Sequence, residues 1–305
     1  MSPTRGFVTI ATGDLRYFRL ARNLLYSYRH CSPSPYPFAI ITDRENEITA
    51  EFDKVILISD PDNSYLDKLK LGRELPYDET IFIDADSLAY GDLNAWWELF
   101  AEAGDFCAFG YTRKGPDSGQ GWFEPSGMQE YRDRIRFVPD FNGGVYYMRR
   151  GPICDEVFRV ANAAAENYHR YQFYRFPDPA DEPVLSLGMA VCNCETLHRK
   201  EMCFAPNPAD VRLDISVPVC TWLHQGTEFP IRLIHWGNYR TLKSLYRFEV
   251  SKLMCLRRNA NATEAWWYDL LYRRRMLYAL MHIYDLSAFL SRVHKKIKRL
   301  LRKRK

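Results

Sequence analysis

Two aspartates, Asp84 and Asp86, follow the apolar run Thr80-Ile-Phe-Ile83 with one alanine between them. Carboxylates one residue apart, just past a buried strand, present hard oxygen ligands at a sheet edge. A divalent ion held there takes its remaining ligands from a diphosphate and offsets the charge that develops on a departing nucleotide. The competing reading of Asp-x-Asp is a strand-end turn with solvated acids; its position directly after Ile-Phe-Ile favours the metal. A second group of chemistry-bearing residues, Thr12-Gly13-Asp14, ends another apolar run, Gly6-Phe-Val-Thr-Ile-Ala-Thr12.

The flanking pattern predicts the elements that position these residues. Residues 6–12 read as a short buried strand, and Leu20, Leu24, Leu25 and Tyr28 give residues 15–30 a helical spacing. Strands are expected at 38–42, 55–58 and 80–83, and a helix at 64–75 with Leu66, Leu69 and Leu75 inward. This alternation predicts an α/β sandwich with a mostly parallel sheet. Ligands of such sheets bind beyond the carboxyl ends of the strands, where both groups fall. Further on, 111–127 reads as a loop rich in glycine and proline, and 141–148 as a glycine turn entering a strand. Residues 152–169 read as a helix, 175–183 as a loop rich in proline and aspartate, and 184–191 as the start of a helix. A late strand is expected at 231–235, and helix from about 243 onward.

The composition belongs to a globular protein. Of 305 residues, 47% are apolar and 26% charged, which excludes a disordered chain, a collagen-like repeat and a disulfide miniprotein. No apolar run approaches the roughly 20 residues of a membrane span. The opening Met1-Ser-Pro-Thr-Arg-Gly6 lacks the apolar core of a signal peptide, so the expected compartment is the cytoplasm. The eight cysteines lack metal-type spacing, Cys192-Asn-Cys194 being too tight, and are expected as buried thiols. Asn261-Ala-Thr263 matches a glycosylation sequon, to which no weight is given in a cytoplasmic chain.

Charge is unevenly placed. Residues 286–305 carry nine Lys/Arg and no Asp/Glu, against 33 basic and 38 acidic residues in the rest. Leu286, Phe289, Leu290, Val293, Ile297, Leu300 and Leu301 form one helical stripe in this tail. A basic amphipathic helix of this kind is expected to lie on an anionic membrane surface. The alternatives are a plain packed or solvated helix and, more weakly, nucleic acid, because the acidic body repels a duplex and the tail has no aromatic residue after Phe289. The expected division is a catalytic body over 1–242 and a helical extension over 243–305.

Over about residues 6–240 the chain resembles the GT-A-fold glycosyltransferases, and most closely the retaining family 8. The ordered matches are Phe7-Val-Thr-Ile-Ala-Thr12, Leu66-Asp-Lys-Leu-Lys-Leu71, Tyr77-Asp-Glu-Thr-Ile-Phe-Ile-Asp-Ala-Asp86, Phe141-Asn-Gly-Gly-Val145, Asp181-Glu-Pro-Val-Leu185 and His235-Trp-Gly237. The resemblance implies a Rossmann-like nucleotide-diphospho-sugar transferase sandwich. It implies a base pocket lined by Ile10, Thr12 and Gly13, and a metal site of Asp84, Asp86 and His235, with Ala85 and Gly237 beside the nucleotide. An imidazole added to two carboxylates suits Mn2+ better than Mg2+. Lys68 is implied at the diphosphate or sugar, with Lys70 as the alternative, and Asn142 and Gly143 at sugar or acceptor hydroxyls. Asp181 and Glu182 stand where the family has Asp-Gln, on the face of the anomeric carbon.

Two departures stand out. Glutamate replaces the family's glutamine at 182, and Asn238-Tyr-Arg240 replaces its Lys-Pro-Trp, leaving Arg240 or Lys243 as candidate phosphate ligands. The expected activity is transfer of a hexose from a nucleotide sugar, UDP-linked, to a saccharide or glycolipid with retention of configuration. The alternatives are an inverting GT-A transferase, with Asp181 or Glu182 as general base, and an inactive sugar-nucleotide-binding scaffold at the membrane.

Overall fold

The computed structural model describes residues 3–114, 121–171, 173–237 and 240–257. Its first half follows the predicted order: β1 (Arg5–Ala11), α1 (Leu15–Cys31), β2 (Phe38–Thr42), β3 (Lys54–Leu57), a 3-10 turn (Tyr65–Lys70) continuing into α2 (Leu71–Glu74), and β4 (Glu79–Ile83). Then come β5 (Ser87–Ala89), α3 (Trp96–Ala103), β6 (Phe106–Lys114), β7 (Phe137–Arg149), α4 (Pro152–Glu166) and α5 (Asp181–Val191). The last described elements are β8 (Met202–Phe204), β9 (Val211–Asp214), β10 (Val219–His224), β11 (Thr227–Pro230), β12 (Leu233–His235) and α6 (Ser244–Arg257).

The central sheet has the order β3-β2-β1-β4-β7-β6. Strands β1 to β4 run parallel, and β7 is antiparallel to both its neighbours. Every residue of β4 is buried, as expected of a strand covered on both faces. Alternation along β1 sends Phe7 to one face and Val8 to the other. Phe7 joins Tyr28, Phe38 and Trp97, with ring centroids 4.7–5.7 Å away, in a core closed by α1, α3 and α6. Val8 joins Phe82, Tyr146, Val157 and Leu185 in the opposite core, closed by α2, α4 and α5. Each fully buried large side chain contributes roughly 1.5–3 kcal/mol.

The structure corrects the reading in three places. Strand β6 runs on to Lys114, four residues into the segment expected as loop, because it pairs with β7 as far as Phe137. Residues 141–148 form no turn: Asn142-Gly143-Gly144 lies inside the single strand Phe137–Arg149. Helix α5 starts at Asp181, so Asp181 and Glu182 occupy its first turn rather than a solvated loop. The expected helix from 243 begins with α6, whose Leu253 is fully buried in the first core. The basic tail, residues 286–305, and the sequon lie outside the described residues. Six of the eight cysteines are buried. Among the described residues, no helix is long and apolar enough to cross a membrane.

Candidate functional site

Strand order places the site. The chain leaves β1 toward β2 on one side and later returns to lay β4 on the other, so β1 and β4 flank a topological switch point. Thr12-Gly13 beyond β1 and Asp84-Ala85-Asp86 beyond β4 therefore open into one cleft of about 980 Å3. Ile10, Lys68, Asn142, Asp181, Glu182, His235 and Gly237 also line it. Gly143 is not in the lining; it lies beneath, between Lys68 and Glu182.

The small sheet β5-β12-β8 brings His235 to the acids. Strand β5 begins at Ser87, one residue after Asp86, and Ser87 pairs with His235. The Trp236 amide donates to the Asp86 carbonyl at 3.1 Å, and the Asp84 amide to the Gly144 carbonyl at 2.9 Å. These bonds leave His235 Nε2 3.1 Å from Asp86 Oδ1 and 3.4 Å from Asp84 Oδ2. One ligand atom from each of the three residues lies within 4.8 Å of the others.

The tautomer of His235 follows from its second nitrogen. Asn142 Oδ1 accepts the Gly144 amide at 3.1 Å, which fixes that atom as the oxygen of the side-chain amide. His235 Nδ1 is 2.6 Å from the same oxygen and so must be its donor. In the neutral ring Nε2 then carries a lone pair aimed at two carboxylates. That arrangement is repulsive unless a proton or a cation stands between them, and two oxygens with one nitrogen make a donor set that fits a divalent metal. Burial pushes the His235 pKa down, but Asp86 and Asp84 outweigh it and raise the value above the ordinary one. Burial lifts Asp84 to about 6 against the pull of Lys68. For Asp86 the His235 contact and Lys68 outweigh burial and hold the carboxyl below its usual range.

Lys68 ties this triad to α5. Its ammonium donates to Asp84 Oδ2, Asp181 Oδ2 and the Gly143 carbonyl, each at 2.9 Å, so its three protons all have protein acceptors. Burial disfavours the charged ammonium, but Asp181 and Asp84 more than offset it and raise the pKa. Tyr146 Oη donates to the same Asp181 oxygen at 2.8 Å. Glu182 Oε1 accepts the Gly143 amide at 2.8 Å; burial and the neighbouring Asp181 push its pKa up to about 7. Lys70 instead pairs with Asp60 and Asp62 and is not in the lining. Arg240 donates to the Pro206 carbonyl, and neither it nor Lys243 lines the cleft.

Two glycines in β7 make room for these groups. A Cβ on Gly144 would lie 2.4 Å from His235 Nδ1, and one on Gly143 would lie 2.5 Å from Asp181 Oδ2. Successive side chains of a strand point to opposite faces. One glycine therefore clears the imidazole and the next clears the carboxylates of α5.

The far end of the cleft is held by Asp67, a residue the sequence reading did not single out. It is 3% exposed, and it accepts from Thr12 Oγ1 at 2.6 Å and from the Asp62 amide at 2.7 Å. The Gly13 amide donates to Asp43 at 3.2 Å. Gly13 has φ +69°, a conformation natural to glycine. Asp14, Tyr17, Asp43, Arg44, Tyr65, Phe176 and Phe204 also line the wall. None of these belongs to the matched motifs, so only the fold assembles them.

No family model matches the chain, and no curated protein matches it. Among solved structures it is similar to an active-site mutant of LgtC, at 16% identity and TM-score 0.50, over 82% of this chain and 95% of that one. The shared frame is that of the GT-A glycosyltransferases. The fold is GT-A. The galactosyltransferase LgtC with donor and acceptor sugar analogues is similar over 81% of this chain and 94% of that one, at 14% identity and TM-score 0.48. The glycosyltransferase GlyE of Streptococcus pneumoniae is similar over 65% of this chain and 46% of that one, at 13% identity and TM-score 0.42. At such identities the likeness carries the GT-A fold alone.

Proposed function

We propose that this protein is a metal-dependent glycosyltransferase that moves a hexose from a nucleotide sugar, UDP-linked, to a saccharide or glycolipid acceptor. The observation that carries the reading is the convergence of Asp84, Asp86 and an Asn142-oriented His235 at the switch point of a GT-A fold. Asp84, Asp86 and His235 would hold the divalent ion, Mn2+ in preference to Mg2+. The ion supplies charge neutralisation for the diphosphate leaving group. Ile10, Thr12 and Gly13 line the base end, with Asp43 and Asp67 fixing their loops. Ala85 and Gly237 line the cleft beside the ligand carboxylates and imidazole. Lys68 neutralises Asp84 and Asp181 and holds the first turn of α5 against the floor. Asp181 and Glu182 then face the donor sugar, and Asn142 and Gly143 position Glu182.

Retention is the reading for the stereochemistry, because Asp181 Oδ2 already accepts Lys68 and Tyr146 and is poorly placed to remove a proton. Glu182, raised to about 7, favours the inverting alternative if it acts as general base. The anomeric configuration of the product, followed by NMR, separates the two. On sequence pattern alone, the basic tail would hold the protein at an anionic membrane.

The direct test is a panel of nucleotide sugars with and without Mn2+, followed by thermal shift and by donor hydrolysis. Stabilisation by a UDP-sugar that needs Mn2+ and disappears in the Asp84→Asn/Asp86→Asn variant is expected. Nucleotide-sugar binding without any turnover would instead favour a scaffold. Binding indifferent to both metal and substitution defeats the metal assignment.

A further inference from the structure

We propose that Tyr65 and Phe176 form a stacking shelf that takes the acceptor, and that this acceptor presents a pyranose ring. The word acceptor rests on the transferase reading above; the shelf and its ligand class rest on the geometry below.

Both rings sit in the cleft wall on backbone that is bent to put them there. Asn63, two residues before Tyr65, has φ +52°, and Arg175, directly before Phe176, has φ +74°. Residues other than glycine rarely adopt such angles, and those that do cluster where a surrounding structure imposes them. Around Phe176 that structure is evident. The Arg175 guanidinium lies 4.4 Å from the centre of the Trp122 ring and donates to Asp140 at 3.2 Å. Asp140 is buried and is also held by Arg113 at 2.7 Å. The Phe176 carbonyl accepts from Tyr168 Oη at 3.2 Å, and the Phe176 ring stacks on buried Trp122 at 5.8 Å and 20°. Phe176 is thus clamped from behind, and its ring lies 6.4 Å from that of Tyr65, tilted by 50°.

Tyr65 adds the open part of the shelf. It is 61% exposed, yet it lines the cleft. It starts the 3-10 turn that contains Lys68, and side chains three apart in a 3-10 helix eclipse one another. Its ring is therefore one turn from the Lys68–Asp181 pair. Phe176 reaches the same pair by sequence, five residues before Asp181. Tyr65 and Phe176 line the cleft together with Asp181 and Glu182, and Tyr65 is close enough to Lys68 and Asp181 to feel their charges.

Flat aromatic surface beside fixed carboxylates matches the two sides of a pyranose. Its C–H face is apolar and stacks on a ring, while its hydroxyls donate to acids. An alkyl chain on the same surface would strip water from the half-buried Glu182 without offering it a hydrogen bond. The geometry favours a sugar over a lipid tail at this position.

The test is saturation-transfer NMR on the full chain, with no donor present. The probes are the methyl β-D-glycosides of glucose, galactose and mannose, together with n-octyl β-D-glucoside. Wild-type protein is expected to saturate ring C–H protons of at least one methyl glycoside. Phe176→Ala and Tyr65→Ala should each weaken that Kd by about fivefold to tenfold, while Phe176→Trp, which keeps a flat ring, retains it. If Phe176→Ala fails to fold, Tyr65→Ala, on an exposed ring, decides. Three results overturn the shelf: no methyl glycoside saturated, wild-type affinity in the folded alanine variants, or saturation confined to the octyl chain. Failure here with donor hydrolysis intact overturns the shelf alone. Glycoside binding with no nucleotide-sugar binding or turnover overturns the transferase reading alone.

Discussion

The side-chain oxygen of Asn142 lies 2.6 Å from Nδ1 of His235, on the side of the ring away from the two aspartates. It is fixed by the Gly144 amide and so dictates which imidazole nitrogen is free for a metal. Asn142→Ala removes that constraint without touching a ligand. The expected result is a 10- to 100-fold loss of Mn2+ affinity, roughly what outer partners of ligating histidines contribute. Isothermal titration with Mn2+ checks it; unchanged affinity would mean that packing alone sets the ring.

The paired glycines of β7 predict a contrast. Gly144→Ala drives a methyl group to 2.4 Å from His235 Nδ1, and Gly143→Ala drives one to 2.5 Å from Asp181 Oδ2. Each should cost about 1–3 kcal/mol through overpacking. They should differ in what else is lost. Gly144→Ala weakens Mn2+ binding most, and Gly143→Ala displaces α5 from Lys68 and weakens it less. Urea titrations and calorimetry on both variants give the comparison, and equal metal affinities would contradict it.

Lys68 is surrounded by acceptors and almost inaccessible, at 8% exposure. Lys68→Met fills similar space but leaves Asp84 and Asp181 without their shared cation. Removal of one partner from a buried ionic cluster costs about 3–5 kcal/mol. The variant should show a correspondingly lower urea midpoint when metal is absent, and recover part of the loss when Mn2+ is added. A change below about 1 kcal/mol would place the pairs among surface ion pairs in energetic terms.

The first 90 residues were legible because their strands are short, apolar and bounded by polar turns, and because β4 ends on its aspartates. The grouping of Asp84, Asp86 and His235 was legible only through the ordered motifs, since nothing local to Leu233-Ile-His235 separates a ligand from a packed ring. Asn142-Gly143-Gly144 misled because glycine in a strand looks like a turn; here the glycines are needed for close approach, which depends on His235 and Asp181 arriving from distant sequence. The sequence pattern around Asp181 reads as a loop because Pro177 and Pro179 break the helical spacing just before it. Asp67, Tyr65 and Phe176 gave no signal of their own, because their roles exist only once the 3-10 turn and the segment before α5 face each other across the cleft.

Three groups of the site shift in one direction. Glu182 and Asp84 are raised by burial to about 7 and about 6 from ordinary values of 4.5 and 3.8, and His235 is raised by Asp86 and Asp84 in spite of burial. A group with a raised native pKa binds its proton more tightly folded than unfolded. Its stabilising contribution is present below the unfolded value and is lost as pH rises through the folded one. Asp86, held low, acts only at more acid pH. Stability in EDTA should therefore fall from about pH 4 to about pH 7, and His235 extends the fall to higher pH. Mn2+ competes with the protons on Asp84 and His235, so the stabilisation it adds should grow over the same interval. Thermal unfolding across that range, with EDTA and with Mn2+, measures both trends. A metal increment independent of pH would argue against these ligands.

Asp67 supports the opposite end of the cleft, and its substitution separates that end from the metal. Its carboxylate joins the Thr12 hydroxyl, past β1, to the Asp62 amide, in the loop before the 3-10 turn. Asp67→Ala leaves a hydroxyl and a backbone amide unpaired, at a cost of about 1–3 kcal/mol for each that stays buried. Asp67→Asn should be milder, because its carbonyl still accepts from Asp62 and its amide can donate to the hydroxyl. On the proposed reading, Thr12 and Gly13 face the nucleotide base, so Asp67→Ala should raise the Kd for UDP by about tenfold. The Mn2+ affinity of the same variant should be nearly unchanged, since Asp84, Asp86, His235 and Asn142 keep their contacts. Titrations with Mn2+ alone and with UDP in the presence of Mn2+ measure the two affinities independently. A parallel loss of both would show that Asp67 supports the whole cleft, and loss of neither would show that the base end is held by Gly13 and Asp43 without it.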